Sequence, residues 1–169
     1  MNTVLLLTLS GLDRPGLVGE LADVIAGLEA NWEQSRMLHL ADRFIGLLEV
    51  HVREDRADVL IERLQSLGDL EIHITSASPS PPPQPTVELE IMGMDHPGIV
   101  SEVFGVLGKS QVNVETLRTV VEPAANSGHA LFKARARLSI PAAIGLQDLQ
   151  RSLENIAQDV MVTIHPMGR

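Results

Sequence analysis

Two halves of the chain repeat one sequence pattern. Residues 11–18 read Gly-Leu-Asp-Arg-Pro-Gly-Leu-Val, and residues 93–100 read Gly-Met-Asp-His-Pro-Gly-Ile-Val. The offset of 82 residues continues without a gap, and ten of the 26 positions from Gly11 to Arg36 are identical to their counterparts. A chain of 169 residues with this repeat should fold as two copies of one small domain.

A proline-rich segment separates the two copies. Residues 77–85 contain five prolines in nine positions. Such a composition favours polyproline II, which extends about 3.1 Å per residue, so the segment can span roughly 28 Å. We predict a first domain over 1–76, a linker over 77–85 and a second domain over 86–169. We expect the linker to be a spacer rather than a docking motif for another protein.

Each copy shows the same order of hydrophobic periodicities. Stretches in which apolar and polar residues alternate are typical of strands, and apolar residues three or four positions apart are typical of helices. In each copy these patterns occur in the order strand, helix, strand, strand, helix, strand. In the first copy the strands lie near 3–10, 31–40, 43–52 and 70–74, and the helices near 17–28 and 57–67. In the second copy the strands lie near 87–91, 113–121, 130–138 and 160–164, and the helices near 99–107 and 143–157. This order predicts an α+β fold, with two ferredoxin-like βαββαβ domains, each a four-stranded antiparallel sheet with both helices on one face.

The first strand is apolar on both of its faces. Val4 to Leu7 and Leu9 leave no polar side of the kind that a half-exposed strand has. Such a strand is either covered twice or paired at its edge. We therefore expect the two copies to pack together, or the protein to dimerise, or both.

The charge of the chain argues against nucleic acid as a partner. Its formal net charge is −9, and only Lys109 and Lys133 supply ammonium groups. Binding to DNA or RNA needs a basic surface, and an RNA-binding domain of this topology also needs aromatic side chains on its central strands. Aromatic residues make up 2% of the chain. We expect no appreciable affinity for nucleic acid.

The sequence lacks the features of an exported or membrane protein. It contains no cysteine, and its first nine residues have neither a basic region nor a long apolar core. No apolar stretch reaches the roughly 18 to 20 residues that cross a bilayer. We predict a cytoplasmic protein.

The common signatures of catalytic sites are missing as well. The chain has no Gly-x-Ser-x-Gly elbow, no phosphate-binding loop and no His-Glu-x-x-His helix. Its six histidines are not spaced as metal ligands on one helix or turn, and they are typical of surface residues. We therefore predict no metal, no cofactor and no enzymatic activity.

The repeated turn between the first strand and the first helix allows two interpretations. In the structural one, Asp13 and Asp95 cap the helices, and Pro15 occupies a first-turn position. In the functional one, the free N–H groups at the helix start attract the carboxylate of an amino acid, and the aspartate holds its ammonium group. The asparagines at positions 31 and 113 begin the next strand of each copy, and we expect them to lie close to the turn.

The turn and the asparagine that follows it about fifteen residues later resemble the start of an ACT domain, and the order of elements agrees over nearly the whole chain. The resemblance implies that a small amino acid binds at an interface between two domains, against the turn before the first helix. Transferred position by position, it implies two sets of binding residues. They are Gly11, Asp13, Gly16, Leu17 and Asn31, and Gly93, Asp95, Gly98, Ile99 and Asn113.

The resemblance also implies a function. Two ACT domains joined by a proline-rich segment, with no catalytic domain, are similar to regulators that control gene expression through a protein partner, a transcriptional activator. A homodimer that senses a small amino acid such as glycine is the implied protein. A ligand-free interaction module and a regulatory subunit of an enzyme of amino-acid metabolism remain open. The two copies differ, because His96 replaces Arg14 and the second strand connection is about six residues longer.

Overall fold

The chain divides into two compact units, Met1–Ser80 and Pro81–Arg169. The computed structural model describes residues 1–76, 84–124, 129–156 and 160–166. Most of the predicted linker, residues 77–83, lies outside the described residues, and the domain limits drawn from the sequence stay a prediction.

The first unit is a βαββαβ domain. Its elements are β1 (Asn2–Leu12), α1 (Leu17–Gly27), β2 (Asn31–Leu40), β3 (Arg43–Arg53), α2 (Glu54–Gln65) and β4 (Leu70–Ser76). The four strands form one sheet in the order β2-β3-β1-β4. All three neighbouring pairs are antiparallel, which confirms the predicted topology. Strand β1 is interior, because β3 and β4 flank it on both sides.

The second unit repeats this arrangement. Its elements are β5 (Thr86–Met94), α3 (Ile99–Lys109), β6 (Asn113–Pro123), β7 (Ala130–Ser139), α4 (Leu146–Ile156) and β8 (Val160–Pro166). The sheet order is β6-β7-β5-β8, again fully antiparallel. Helix α4 begins three residues later than Ala143, the predicted start. The main-chain N–H of Ile144 donates to Pro141 O at 2.9 Å in a turn that precedes the helix.

The core of the first unit lies between one face of its sheet and the two helices. Alternate residues of β1, namely Leu5, Leu7 and Leu9, are buried together with Leu21 of α1 and Leu60 of α2. The intervening residues of β1 point to the other face, which no helix of the unit covers. The pattern follows from the two-residue period of a strand and the 3.6-residue period of a helix.

The second core is filled with different side chains at equivalent places. In the first unit the partner of Leu7 on the neighbouring strand is Leu48. In the second unit the equivalent partner of Leu89 is the much smaller Ala136. Phe104 of α3 packs against this second core, where the repeat has Ala22 in the first copy. The two cores thus differ in how their volume is distributed between sheet and helix.

Candidate functional site

The turn between β1 and α1 has a backbone conformation that favours glycine. Gly16 is the N-cap of α1 and lies in the left-handed region, with φ of 91°. A side chain is strained in that conformation. A Cβ built on Gly16 would meet no heavy atom within 4 Å. The helix start at Gly16 is therefore free of side-chain obstruction.

The predicted capping role of the aspartates is wrong. Helix α1 begins at Leu17, so the N-cap is Gly16 rather than Asp13, and no side chain caps the helix. Pro15 lies before the N-cap and not in the first turn. Helix α3 begins in the same way after Gly98, with φ of 100°. Three residues separate each aspartate from the first residue of its helix, so the aspartate is not at the N-cap position from which a side chain caps the helix.

Packing fixes Gly11 and Leu17, two further residues of the first predicted set of binding residues. Gly11 is buried in β1, where a Cβ would lie 2.4 Å from the carbonyl oxygen of Asp69. Leu17 is 4% exposed and packs with Phe44 and Leu70. Both residues lie beside the turn as predicted, and both have a structural reason to be there.

Asp13 carries the exposed carboxylate of the turn. Its main-chain N–H donates to Asp42 O at 3.0 Å, which joins the end of β1 to the β2–β3 hairpin. Its Oδ2 lies 2.5 Å from Nδ1 of His39, near the end of β2. A carboxylate accepts several hydrogen bonds, so His39 positions Asp13 and leaves it capacity for another donor.

Arg14 connects the turn to two acidic residues. Its guanidinium donates to both carboxylate oxygens of Glu20 in α1, at 2.8 and 2.6 Å. It also donates to Asp69 Oδ2, at 2.9 and 2.7 Å. The hydrogen bonds with Glu20, and next those with Asp69, raise the pKa of Arg14 above its ordinary value. The hydrogen bond from Arg14 lowers the pKa of Glu20 below its ordinary value of 4.5.

This ion pair predicts a pH dependence of stability. Because the pKa of Glu20 is lower in the folded chain than in the unfolded one, the stabilisation is fully present above about pH 4.5. It is lost as the pH falls through the lowered pKa. We expect Glu20→Gln to melt at a slightly lower temperature than the wild type at pH 7, and we expect this difference to shrink as the pH falls below 4.5. Thermal denaturation over a series of pH values measures the difference.

The second copy offers a matched control. Glu102 occupies the position of Glu20, and its Oε2 lies 3.9 Å from Nε2 of His96, which replaces Arg14. Glu102→Gln should change the melting temperature much less at pH 7, since this pair is long and exposed. An equal loss in both variants would show that the bidentate geometry of Arg14 contributes nothing.

An open depression of about 570 Å³ adjoins the turn of the first copy. Gly11, Asp13 and Arg14 line one side, and Arg43, Asp69 and Glu71 complete its charged lining. Both signs of charge thus border one volume. Such a lining suits a small zwitterion, whose carboxylate and ammonium groups need opposite partners a few ångströms apart.

Asn31 does not lie at this site. It pairs with His51, which pairs in turn with Val4 on β1, at the opposite end of the sheet from Asp13. Eight residues separate Val4 from Leu12, or roughly 26 Å along a strand. Asn31 donates instead to Glu33 Oε1 at 2.5 Å. The expectation that the asparagine lies close to the turn is therefore wrong, because α1 carries the chain back along the sheet before β2 begins.

The turn of the second copy has the same backbone and, among the residues that the structure describes, fewer polar partners. The N–H of Asp95 donates to Ala130 O at 2.9 Å, and Ile99 is buried like Leu17. Gly93 is buried in β5. Asn113 pairs with Ser139, which pairs with Thr86 at the start of β5, so it too lies away from its turn.

The copies also differ at the residue opposite the buried phenylalanine beside the turn. His39 is opposite Phe44 in the first sheet, and Val121 is opposite the equivalent Phe132 in the second. The second copy therefore has an aliphatic residue at the position equivalent to His39. Sequence reasoning placed His39 among ordinary surface histidines. Only the register of β2 against β3 brings it to the turn, and that register is not visible in a single strand.

The sequence predicts neither a metal site nor a membrane-spanning helix, and the structure can be searched for both only within the residues that it describes. Among the residues that the structure describes, no group of three or more His, Asp or Glu residues is arranged to hold a metal ion. Within the same residues, no helix is both long enough and apolar enough to cross a membrane.

Comparisons with known proteins agree with the fold described above. Residues 3–75 match the family model of the ACT domain. The glycine cleavage system transcriptional repressor of Escherichia coli (strain K12) is 22% identical over 162 residues, which cover 92% of this chain and 85% of that protein. The protein of the same name from Shigella flexneri gives the same values. These relatives are regulators by name, in agreement with the prediction that the chain is not an enzyme.

Solved structures extend the likeness to the whole chain. An unknown protein from Galdieria sulphuraria superposes with a TM-score of 0.90 at 26% identity, covering 99% of this chain and 100% of that one. A proposed glycine cleavage system transcriptional repressor superposes with a TM-score of 0.67 at 19% identity, covering 100% and 99%. At that identity the second likeness concerns the fold alone. The first copy of the chain therefore matches the ACT domain, the second repeats its fold, and the whole is similar to the glycine cleavage system transcriptional repressors.

Proposed function

We propose that the protein is a regulator that binds a small amino acid, with glycine as the first candidate, and controls gene expression through a protein partner. The similarity to glycine cleavage system transcriptional repressors along 92% of the chain supports the regulatory role. The net charge of −9 favours contact with a transcriptional activator over direct contact with DNA. We place this activity in the cytoplasm and expect a homodimer.

The turn of the first copy is the observation that carries the proposal. It combines an uncapped helix start at Gly16 with an exposed carboxylate, Asp13, beside a depression bordered by both signs of charge. An amino acid placed there has N–H groups and the positive end of a helix dipole for its carboxylate. Arg43 offers a further cation to the carboxylate, and Asp13 accepts the ammonium group.

We assign the ligand to the turn residues of each copy and not to the asparagines. Gly11, Gly16 and Leu17 shape the first site, and Asp13 supplies its polar contact. Gly93, Gly98 and Ile99 shape the second, and Asp95 supplies the contact there. Among the described residues the first site has the richer polar lining, since His39 positions Asp13 and Val121 takes the equivalent position in the second copy.

The experiment is calorimetric titration of the full chain with a panel of amino acids, paired with melting curves. Ligand at about 100 times its dissociation constant should add roughly 2.7 kcal/mol to the free energy of unfolding. Asp13→Asn keeps the size and the acceptor oxygen of the side chain but removes its charge. We expect this variant to stay folded and to lose at least about tenfold in affinity, since it weakens a charge-assisted hydrogen bond.

The matched control is Asp95→Asn. If the first site binds the ligand, the control keeps the wild-type affinity, and the reverse result assigns binding to the second copy. Should no amino acid at millimolar concentration change heat or melting temperature, the sensor role is excluded. The repeated fold would then serve as a ligand-free interaction module or as a regulatory subunit of an enzyme of amino-acid metabolism.

A further inference from the structure

One face of the second sheet carries a depression with a mixed apolar and basic lining. Phe132, Ala134 and Ala136 of β7 are buried in one core with residues of α3 and α4, so the residues between them point to the opposite face. We call this the outer face of the second sheet. The depression on it has a volume of about 360 Å³, which lies within the range of binding sites for small molecules.

The lining of the depression includes two rows of residues that cross the strands from β6 to β8. The first, which we call the apolar row, consists in this order of Val120, Lys133, Met92 and Met161. Met92 is the least exposed of its three apolar members, at 41%. Lys133 donates from its Nζ to Glu122 Oε2 at 2.6 Å, so the aliphatic stem of the lysine is the part that continues the row. The apolar row can therefore hold a hydrocarbon chain.

The second row is basic at its β6 end. It consists, in the same order, of Arg118, Arg135, Glu90 and Thr163. Arg118 and Arg135 lie directly opposite each other, an arrangement in which like charges repel. Arg135 forms ion pairs with Glu88 and Glu90 on β5. Among the residues that the structure describes, none of the ion pairs of the second unit includes Arg118, so the pair of arginines can accept a further anion.

The first copy shows that the fold does not require this lining. Arg118 corresponds to Arg36, which lies opposite Leu47 instead of a second arginine. The cross-strand pair of methionines on β5 and β8 corresponds to Ser10 and Glu71 on β1 and β4. The pair of arginines and the pair of methionines are therefore specific to the second copy, and a ligand with an anionic and an apolar part explains both.

We propose that the depression on the outer face of the second sheet binds a small carboxylate that has an aliphatic chain and no amino group. The carboxylate lies over Arg118 and Arg135 and relieves their repulsion, while the chain lies along the apolar row. An amino acid fits less well, because Glu90, the carboxylate that lines the depression, is already paired with Arg135. The proposal goes beyond the amino-acid sites at the turns, whose residues are different.

Methyl NMR of the full chain tests the proposal, with hexanoate as the probe and with ¹³C-labelled methionine methyl groups as reporters. Hexanoate should shift the methyl signals of Met92 and Met161. It should leave the signal of Met37, which packs against the core of the first unit, unchanged. We expect a dissociation constant on the order of 1 mM or below. Butanoate should bind about threefold to tenfold more weakly, because it buries two fewer methylene groups.

A matched ligand tests the absence of an amino group. Norleucine has the carboxylate and the chain of hexanoate and adds one ammonium group. Because the depression offers this group no unpaired carboxylate among the residues described, norleucine should bind at least about tenfold more weakly than hexanoate at the two methionines. Equal affinity for the two ligands would overturn the proposed class of ligand.

Two matched arginine variants test the position of the carboxylate. Arg118→Gln removes the charge from a charge-assisted hydrogen bond and should raise the dissociation constant of hexanoate about tenfold. Arg36→Gln makes the same change at the equivalent position of the first copy and should leave the dissociation constant unchanged. Val120→Thr keeps the shape of the side chain but places a hydroxyl group in the apolar row, and it should weaken binding about threefold. Circular dichroism checks that the variants stay folded.

The contrary results are equally specific. If about 20 mM hexanoate shifts neither Met92 nor Met161, or shifts Met37 as much, the depression is not a site for this class of ligand. Equal effects of Arg118→Gln and Arg36→Gln, or no effect of either, would contradict the position of the carboxylate over the pair of arginines. None of these outcomes bears on the amino-acid sites at the turns, which calorimetry with Asp13→Asn and Asp95→Asn tests separately.

Discussion

Gly11→Ala should lower the melting temperature of the first unit by more than about 10 °C. The added methyl group would lie 2.4 Å from the carbonyl oxygen of Asp69 and 2.9 Å from a methyl carbon of Leu70. Because the first of these atoms belongs to the backbone, the strand and the loop before β4 must move apart. Overpacking of this kind costs about 3 kcal/mol, and each kcal/mol shifts the melting temperature of a domain of this size by roughly 4 to 8 °C.

Trp32 gives a local signal for this measurement. It is the one tryptophan of the chain and packs against the core of the first unit, so its fluorescence follows the unfolding of that unit. Gly19→Ala is the control, because Gly19 lies in α1 with no heavy atom within 4 Å of a built Cβ. Alanine favours a helix over glycine by about 1 kcal/mol, and the control should melt slightly higher. If Gly11→Ala melts like the wild type, steric contact with Asp69 does not explain the glycine.

Leu48→Ala should lower the free energy of unfolding by about 3 to 5 kcal/mol, as other fully buried leucines do. Leu48 is 0% exposed and lies beside Leu7 in the centre of the sheet. Its replacement leaves a cavity that rigid neighbouring strands cannot close. Urea unfolding followed by Trp32 fluorescence measures the loss. Val59→Ala, on the exposed side of α2, should change the free energy by less than about 1 kcal/mol.

The second copy suggests how to fill that cavity. It already has alanine at the equivalent position, Ala136, and a phenylalanine at 104 that packs against its core. Adding Ala22→Phe to Leu48→Ala should therefore recover part of the lost stability. A double variant less stable than Leu48→Ala alone would mean that a phenylalanine at position 22 does not fill the cavity left at position 48.

The fold was predictable from sequence because it depends on periodicity. The alternation of Phe44, Gly46, Leu48, Val50 and Val52 indicates one buried face of β3, and the structure buries every one of these residues. The internal repeat made the prediction more reliable, since each predicted element could be compared with its counterpart in the other copy. Helix starts were less accurate: α2 begins at Glu54, three residues before the predicted Ala57, because acidic residues at the start of a helix carry no hydrophobic signal.

The candidate site was only half predictable. The turn residues are adjacent in sequence, so Gly11, Asp13 and Gly16 had to lie together in space. The contacts of the turn with His39 and Asp69 depend on strand register, which a local pattern does not reveal. Asn31 shows the opposite error, because a short distance in sequence was taken for a short distance in space, and an intervening helix of eleven residues separates the two.

The left-handed glycine at the helix start has a consequence for searches of genomes for new sensors. Gly16 is required by its φ of 91° and Gly11 by its close approach to Asp69, so a descendant that had lost its ligand would keep both. A search pattern built on these glycines would collect domains with empty and working sites alike. Discrimination depends on Asp13 and on His39, the residue that faces it, which no backbone constraint holds in place.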